Sequence, residues 1–278
     1  MERRRPGGWP GGVSPPPDAG GTPASQPAGT PALRYTPRVL LALFLIDLAA
    51  GLYLFLPLVG RRSAGVKFYR LVLIITGGLA AFAATARPLR IDSAVVVGLT
   101  IVVYLTLRYP KRLVFRIPAA LLGASYVVAS IHAWRIATQA PLAWAIAGAL
   151  SSLALLGSVN MAMTLGHWYL VVRGMSIDPL KRLAHATLAA TIARLIVVAI
   201  ALALPGVWHE VAVRQGVFFW MRAGWGLVVP LLLYPMVWGT VKIRSTMAAT
   251  GILYVEVVAV VIGEVLAGWL AAGVHLPV

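Results

Sequence analysis

The chain has 278 residues, 60% hydrophobic and only 12% charged, with a formal net charge of +16 and no cysteine. Ordinary soluble domains average roughly 45–50% apolar and about 25% charged residues, so this composition excludes a water-soluble fold of this size. The missing cysteine excludes disulfides, thiolate catalysis, cysteine-ligated iron–sulfur clusters and zinc–thiolate sites within the chain.

Several apolar runs approach the ~20 residues that cross a hydrocarbon layer about 30 Å thick, where every backbone polar group must be bonded internally. Barrel strands would be ~10-residue segments of alternating polarity, whereas Val39–Gly60 and Gly251–Ala272 are apolar almost throughout. The expected fold class is an all-α integral membrane protein, a polytopic bundle of about eight transmembrane helices.

In chain order, residues 1–36 are rich in Pro, Gly, Ala, Ser and Thr and hold too little bulky apolar surface to offset ordering, which predicts a disordered tail ahead of a helical domain at 37–278. Arg3, Arg4 and Arg5 are not followed closely by an apolar stretch, so no cleaved signal is expected. Spans are predicted at 39–60, 70–86, 93–107 and 116–134, with a basic loop at 61–70. The fifth span, 142–172, is longer than a straight crossing needs. Spans at 186–205, 218–241 and 246–274 follow, and Pro230 and Pro235 predict kinks in the seventh.

The lysines and arginines fall mostly in short loops between the spans, a topology signal rather than a nucleic-acid patch, and no nucleic-acid partner is expected. The loops after spans one, three, five and seven are the richer in basic residues, with Arg61, Arg62, Lys67 and Arg70, then Arg108, Lys111 and Arg112, then Arg173, Lys181 and Arg182, then Lys242 and Arg244. The positive-inside rule therefore predicts a multi-pass protein of the inner, cytoplasmic membrane with both termini outside.

Charges in mid-membrane cost at least ~2.5–3.5 kcal/mol on insertion scales, so they face a bundle interior, pair, or serve function. Asp47, Arg194, Glu256 and Glu264 are such residues. In the structural reading Arg194 pairs with Asp47 or Glu256 to fix helix register. In the functional reading the acids relay protons or bind a polar headgroup such as a quinone.

Span five adds Asn160, Met163, Thr164 and His167, one stripe at helical spacing. His167, beside Trp168 and Tyr169, reads first as an interfacial histidine in an aromatic belt and second as a quinone or haem contact. His132, His185 and His209 fall at helix ends, and no two histidines share a helix face as a transmembrane haem pair would, so haem is not expected. Hydrolase, phosphate-loop, metalloprotease and Rossmann motifs are absent from the sequence.

The first hairpin, DLAAGLYLFLPLVGRRSAGVKFYRLVLIITGGLAAFA, and the end, KIRSTMAATGILYVEVVAVVIGEVLAGWLAAGVHL, resemble the eight-helix anchor subunits of the DMSO reductase and NrfD/polysulfide reductase families. Gly263-Glu264 matches a Gly-Glu pair in the last helix of the DMSO reductase anchors, while Ala86-Arg87-Pro88 stands where the family carries His-Leu-Gly. The resemblance implies a quinol-binding subunit without a cofactor of its own, passing electrons to an iron–sulfur partner and a separate catalytic subunit.

The leading expectation is a quinone-interacting or structural membrane subunit of a respiratory redox complex, with Asp47, Arg194, Glu256 and Glu264 around the headgroup and Asn160 and His167 as further polar candidates. The alternative is a small-solute transporter or permease whose midplane site is formed by Pro230, Pro235 and the intramembrane charges. A third reading, a membrane enzyme or assembly factor acting on lipid, would use Arg108, Lys111 and Arg112 against anionic headgroups.

Overall fold

The computed structural model describes residues 37–109, 113–172 and 174–278. The expected tail at 1–36, and Lys111, Arg112 and Arg173, lie outside the described residues. Among those described the chain is helical and has no strand.

Helices α1 (Pro37–Val59), α2 (Arg61–Ala83), α3 (Arg90–Thr106), α4 (Leu113–Thr138), α5 (Leu142–Val171) and α6 (Asp178–Leu202) are followed by a composite span. It consists of α7 (Gly216–Ala223), a π-helical turn (Gly224–Val228) and α8 (Val229–Lys242), and α9 (Thr246–Val274) completes the order. Eight of these segments are long and apolar enough to cross a membrane. The outer surface fits that solvent, since Ile74, Leu105, Val128, Ile200, Leu232 and Val258 stand exposed around it.

The helices form two rings of four. In the first, α1 through α4 each pack on the next and α1 closes on α4; in the second, α5, α6, α8 and α9 do the same, with α7 against α9. The rings meet chiefly along α1 and α5, where Gly51 and Gly157 face each other so closely that a Cβ on either would strike the other helix's backbone. Small residues at such a crossing let two helices gain dispersion contacts over their whole length.

Chain direction alternates, so the ends of the bundle can be named by residue. Arg61 donates to the Leu107 carbonyl at one end, and His275 meets the Thr138 carbonyl at the other, where Pro37 also lies.

Helix ends differ from the sequence expectation where an amphipathic turn outruns the apolar run. The segment 61–70 is not a loop: Gly60, at φ 75°, reverses the chain in one residue and α2 begins at Arg61, with Gly65 as a second irregular point. Likewise α6 starts at Asp178 rather than 186, because Leu180, Leu183 and Ala184 bury one side while Arg182 stays exposed. In the seventh span the helix is interrupted at the Gly224–Val228 π turn, just ahead of Pro230, while Pro235 sits inside α8. Pro230 explains this, since its ring displaces the carbonyl of Gly226 four residues back and supplies no N–H to it.

Candidate functional site

Asp47 lies mid-way along α1, buried among Ile46, Ala49 and Ala50. Its Oδ1 accepts from the Ser130 hydroxyl, and its Oδ2 accepts from the Trp134 indole N–H at 2.8 Å. Ser130 and Trp134 stand four residues apart on α4, one turn of the same face, so a single helix supplies both donors.

The Trp134 ring also carries the charge of Arg194 from α6, whose guanidinium carbon lies 5.5 Å from the ring centroid. Arg194 grips Glu264 of α9 in a fork, Nε to Oε1 at 3.1 Å and Nη2 to Oε2 at 2.9 Å. Its remaining arm donates to Ser151 Oγ of α5 at 3.0 Å. This bidentate geometry is the strong form of the arginine–carboxylate pair.

A second arginine completes the cluster. Arg222 Nη2 of α7 stands 2.9 Å from Glu264 Oε1, at ion-pair distance but out of line for a hydrogen bond, and all three of its side-chain nitrogens are buried without an acceptor among the described residues. Gly226 and Gly263 pack backbone to backbone beside it, and a side chain on Gly226 would meet the guanidinium. The π turn therefore brings α7 and α9 close enough for Arg222 to reach Glu264.

Asp47, Trp134, Arg194, Glu264 and Arg222 thus form one chain of contacts drawn from α1, α4, α6, α7 and α9. With both acids ionised, the two carboxylates and two guanidiniums cancel. The expected partners of Arg194, Asp47 or Glu256, are corrected here: it pairs with Glu264, and Asp47 is held by neutral donors.

Asp47, Trp134, Ser152 and Glu264 line a cavity of about 260 Å³ whose other walls are apolar, among them Phe44, Gly268 and Trp269. It lies between α1 and α9 toward the Pro37 end. Leu41, Val265 and Trp269 on its rim are exposed on the outer surface, so the cavity opens sideways.

Three of the expected site residues sit elsewhere. Glu256 is buried two turns before Glu264, about 12 Å along the helix, and makes no hydrogen bond or ion pair among the described residues. Asn160 turns back on its own helix, donating to the Leu156 carbonyl at 2.8 Å, and Thr164 donates to the Asn160 carbonyl. His167 is exposed and lies 3.3 Å from the Tyr254 hydroxyl. The other histidines are scattered: His132 meets Asp92 at 2.6 Å, and His185 meets Tyr234 at 3.0 Å. Among the described residues no group of three or more His, Asp or Glu is arranged to hold a metal.

Sequence reasoning missed Arg222, Ser130, Trp134, Ser151 and Ser152. Arg222 carries a usable signal, one basic residue inside the otherwise apolar FFWMRAGWGLVV, whereas a lone serine or tryptophan in a membrane helix carries none.

No family model, curated protein or solved structure matches this chain.

Proposed function

We propose that the chain is a multi-pass membrane subunit that takes a quinol from the bilayer into the cavity between α1 and α9, as part of a respiratory redox complex with iron–sulfur and catalytic partners. The observation that carries this reading is the cavity itself, open sideways at apolar residues and floored by Asp47, Ser152 and Glu264. A membrane-soluble molecule with a hydroxylated head enters such a site without crossing water.

The carboxylates divide the work. Each carboxylate accepts two hydrogen bonds, but Glu264 takes both from Arg194 and is also ion-paired with Arg222, whereas the donors to Asp47 are neutral and leave it without a cationic partner. Asp47 is the acceptor for a quinol hydroxyl, and Glu264 holds the arginines. On oxidation the quinol releases two electrons to the iron–sulfur partner and two protons from its hydroxyls.

We place the Arg61 end in the cytoplasm, because Arg61, Arg62, Lys67, Arg70, Arg108, Lys181, Arg182, Lys242 and Arg244 gather there, leaving both termini outside.

A solute transporter is the second reading, favoured by the π turn beside a buried, acceptor-less Arg222 in a broken span. One titration separates the two. A short-tail quinone added to the purified protein should quench the fluorescence of Trp134 and Trp269 saturably. Gly268→Leu should abolish this, because a Cβ there has room, with Leu43 at 3.9 Å, and the longer side chain fills the cavity. Equal quenching in both proteins removes the quinone reading, and substrate exchange across proteoliposomes then tests the transporter.

A further inference from the structure

A second cavity lies apart from the charge cluster. About 650 Å³ lies inside the first ring at its Arg61 end, between α1, α2, α3 and α4. Its walls are apolar almost throughout, with Leu73, Val103 and Phe115 among them. Along α4 it runs from Phe115 to Val127, about 18 Å at 1.5 Å per residue, and one leaflet's hydrocarbon is about 15 Å deep. Ala120 and Ala124 on this wall are exposed, so the cavity is a groove open to the bilayer side.

Among the described residues one cationic group reaches this groove. Arg61 is fixed at the first position of α2 by the single-residue turn at Gly60, and its Nη2 donates to the Leu107 carbonyl. Its Nη1 is buried and has no hydrogen-bond acceptor among the described residues. A guanidinium arm withdrawn from water and left blind carries a desolvation penalty that an anionic oxygen would remove. Arg62, Lys67 and Arg108, all exposed at the same end, add positive potential where such an anion would approach.

We infer that this groove is a binding site for an anionic phospholipid of the leaflet on the Arg61 side. The phosphate accepts from Arg61 Nη1, and one acyl chain lies along α4 from Phe115 toward Val127. The headgroup end is fixed by the buried guanidinium, and the tail end by a groove with the length of one leaflet. The inference is independent of what enters the cavity at Asp47.

The test uses the full-length protein, delipidated in a neutral detergent, with thermal unfolding followed as lipid is added. Dioleoylphosphatidylglycerol should raise the melting temperature saturably, while dioleoylphosphatidylcholine at the same concentration should not. Arg61→Ala should weaken the phosphatidylglycerol effect about tenfold, the scale of one charge-assisted hydrogen bond. Arg62→Ala, next in sequence but exposed, should leave it unchanged. Should Arg61→Ala fail to fold, Ala120→Trp fills the groove from an exposed position and should abolish the effect instead. Equal stabilisation by the two lipids, or a response untouched by Ala120→Trp, overturns the proposal. So does inorganic phosphate acting as well as the lipid, or a quinone rather than a phospholipid recovered by mass spectrometry from protein purified in its native membrane.

Discussion

The two rings bury their acids in opposite ways. In α1 through α4, Asp47 sits against neutral donors, a hydroxyl and an indole N–H from one face of α4. In the second ring, Glu264 is clamped between two guanidiniums delivered by α6 and α7. Both acids line the same cavity and accept two hydrogen bonds each, but the first arrangement leaves its carboxylate without a cationic partner while the second commits its carboxylate to two guanidiniums. One carboxylate is therefore available to a ligand while the other holds three helices together, although both look alike as single acids in apolar runs.

The comparison breaks most severely where the rings touch. Gly157→Val forces a branched side chain into the Gly51 backbone, and neither helix can retreat without opening the α1–α5 seam. A loss of more than ~3 kcal/mol is expected, seen as collapse of the monodisperse peak in detergent. Gly78→Ala, whose Cβ would meet nothing within 4 Å, is the control and should elute as wild type.

Within the second ring the order of effects follows from what each substitution strands. Glu264→Gln leaves two buried guanidiniums facing a neutral amide and should lower stability by about 3–5 kcal/mol. Arg194→Leu removes three hydrogen bonds but leaves Glu264 with Arg222, and should cost less. Arg222→Leu removes a group that makes no hydrogen bond and should cost least. Thermal unfolding of the three variants checks the ranking. An Arg222 variant as damaged as the Glu264 one would mean that the cluster depends on its charge balance and not on its hydrogen bonds.

How much of this was legible in the sequence depends on whether a feature is local. Eight spans are readable because ~20 apolar residues in a row have few alternatives. The starts of α2 and α6 are not, since RRSAGVKFYR and DPLKRLAH bury one side through helical spacing while looking polar on average. Asp47, Arg194 and Glu264 stand out as charges in apolar runs. The partner of Arg194 does not, because Glu264 is 70 residues away and the choice between acids depends on how α6 and α9 register. Asn160, His167 and Glu256 are equally polar to the eye, yet they lie on turns of α5 and α9 that the cluster does not reach. The seam at Gly51 and Gly157 is hidden for a further reason: small residues fill membrane helices, and only the packed bundle shows which pair carries a contact.

The sharpest form of the comparison applies one chemical change to both rings. Asp47→Asn is the same acid-to-amide swap as Glu264→Gln, but here it removes no partner of a buried cation. The amide oxygen still accepts from one of Ser130 and Trp134, while the amide N–H₂ faces the other donor, so about one hydrogen bond is lost, ~1 kcal/mol. Unfolding should therefore shift only slightly, and quinone binding should weaken because the free acceptor positions at the cavity floor are halved. A variant with wild-type quinone binding would remove Asp47 from the headgroup site. One as unstable as Glu264→Gln would show that Asp47 balances the arginines through Trp134, and that the two rings share a single electrostatic core.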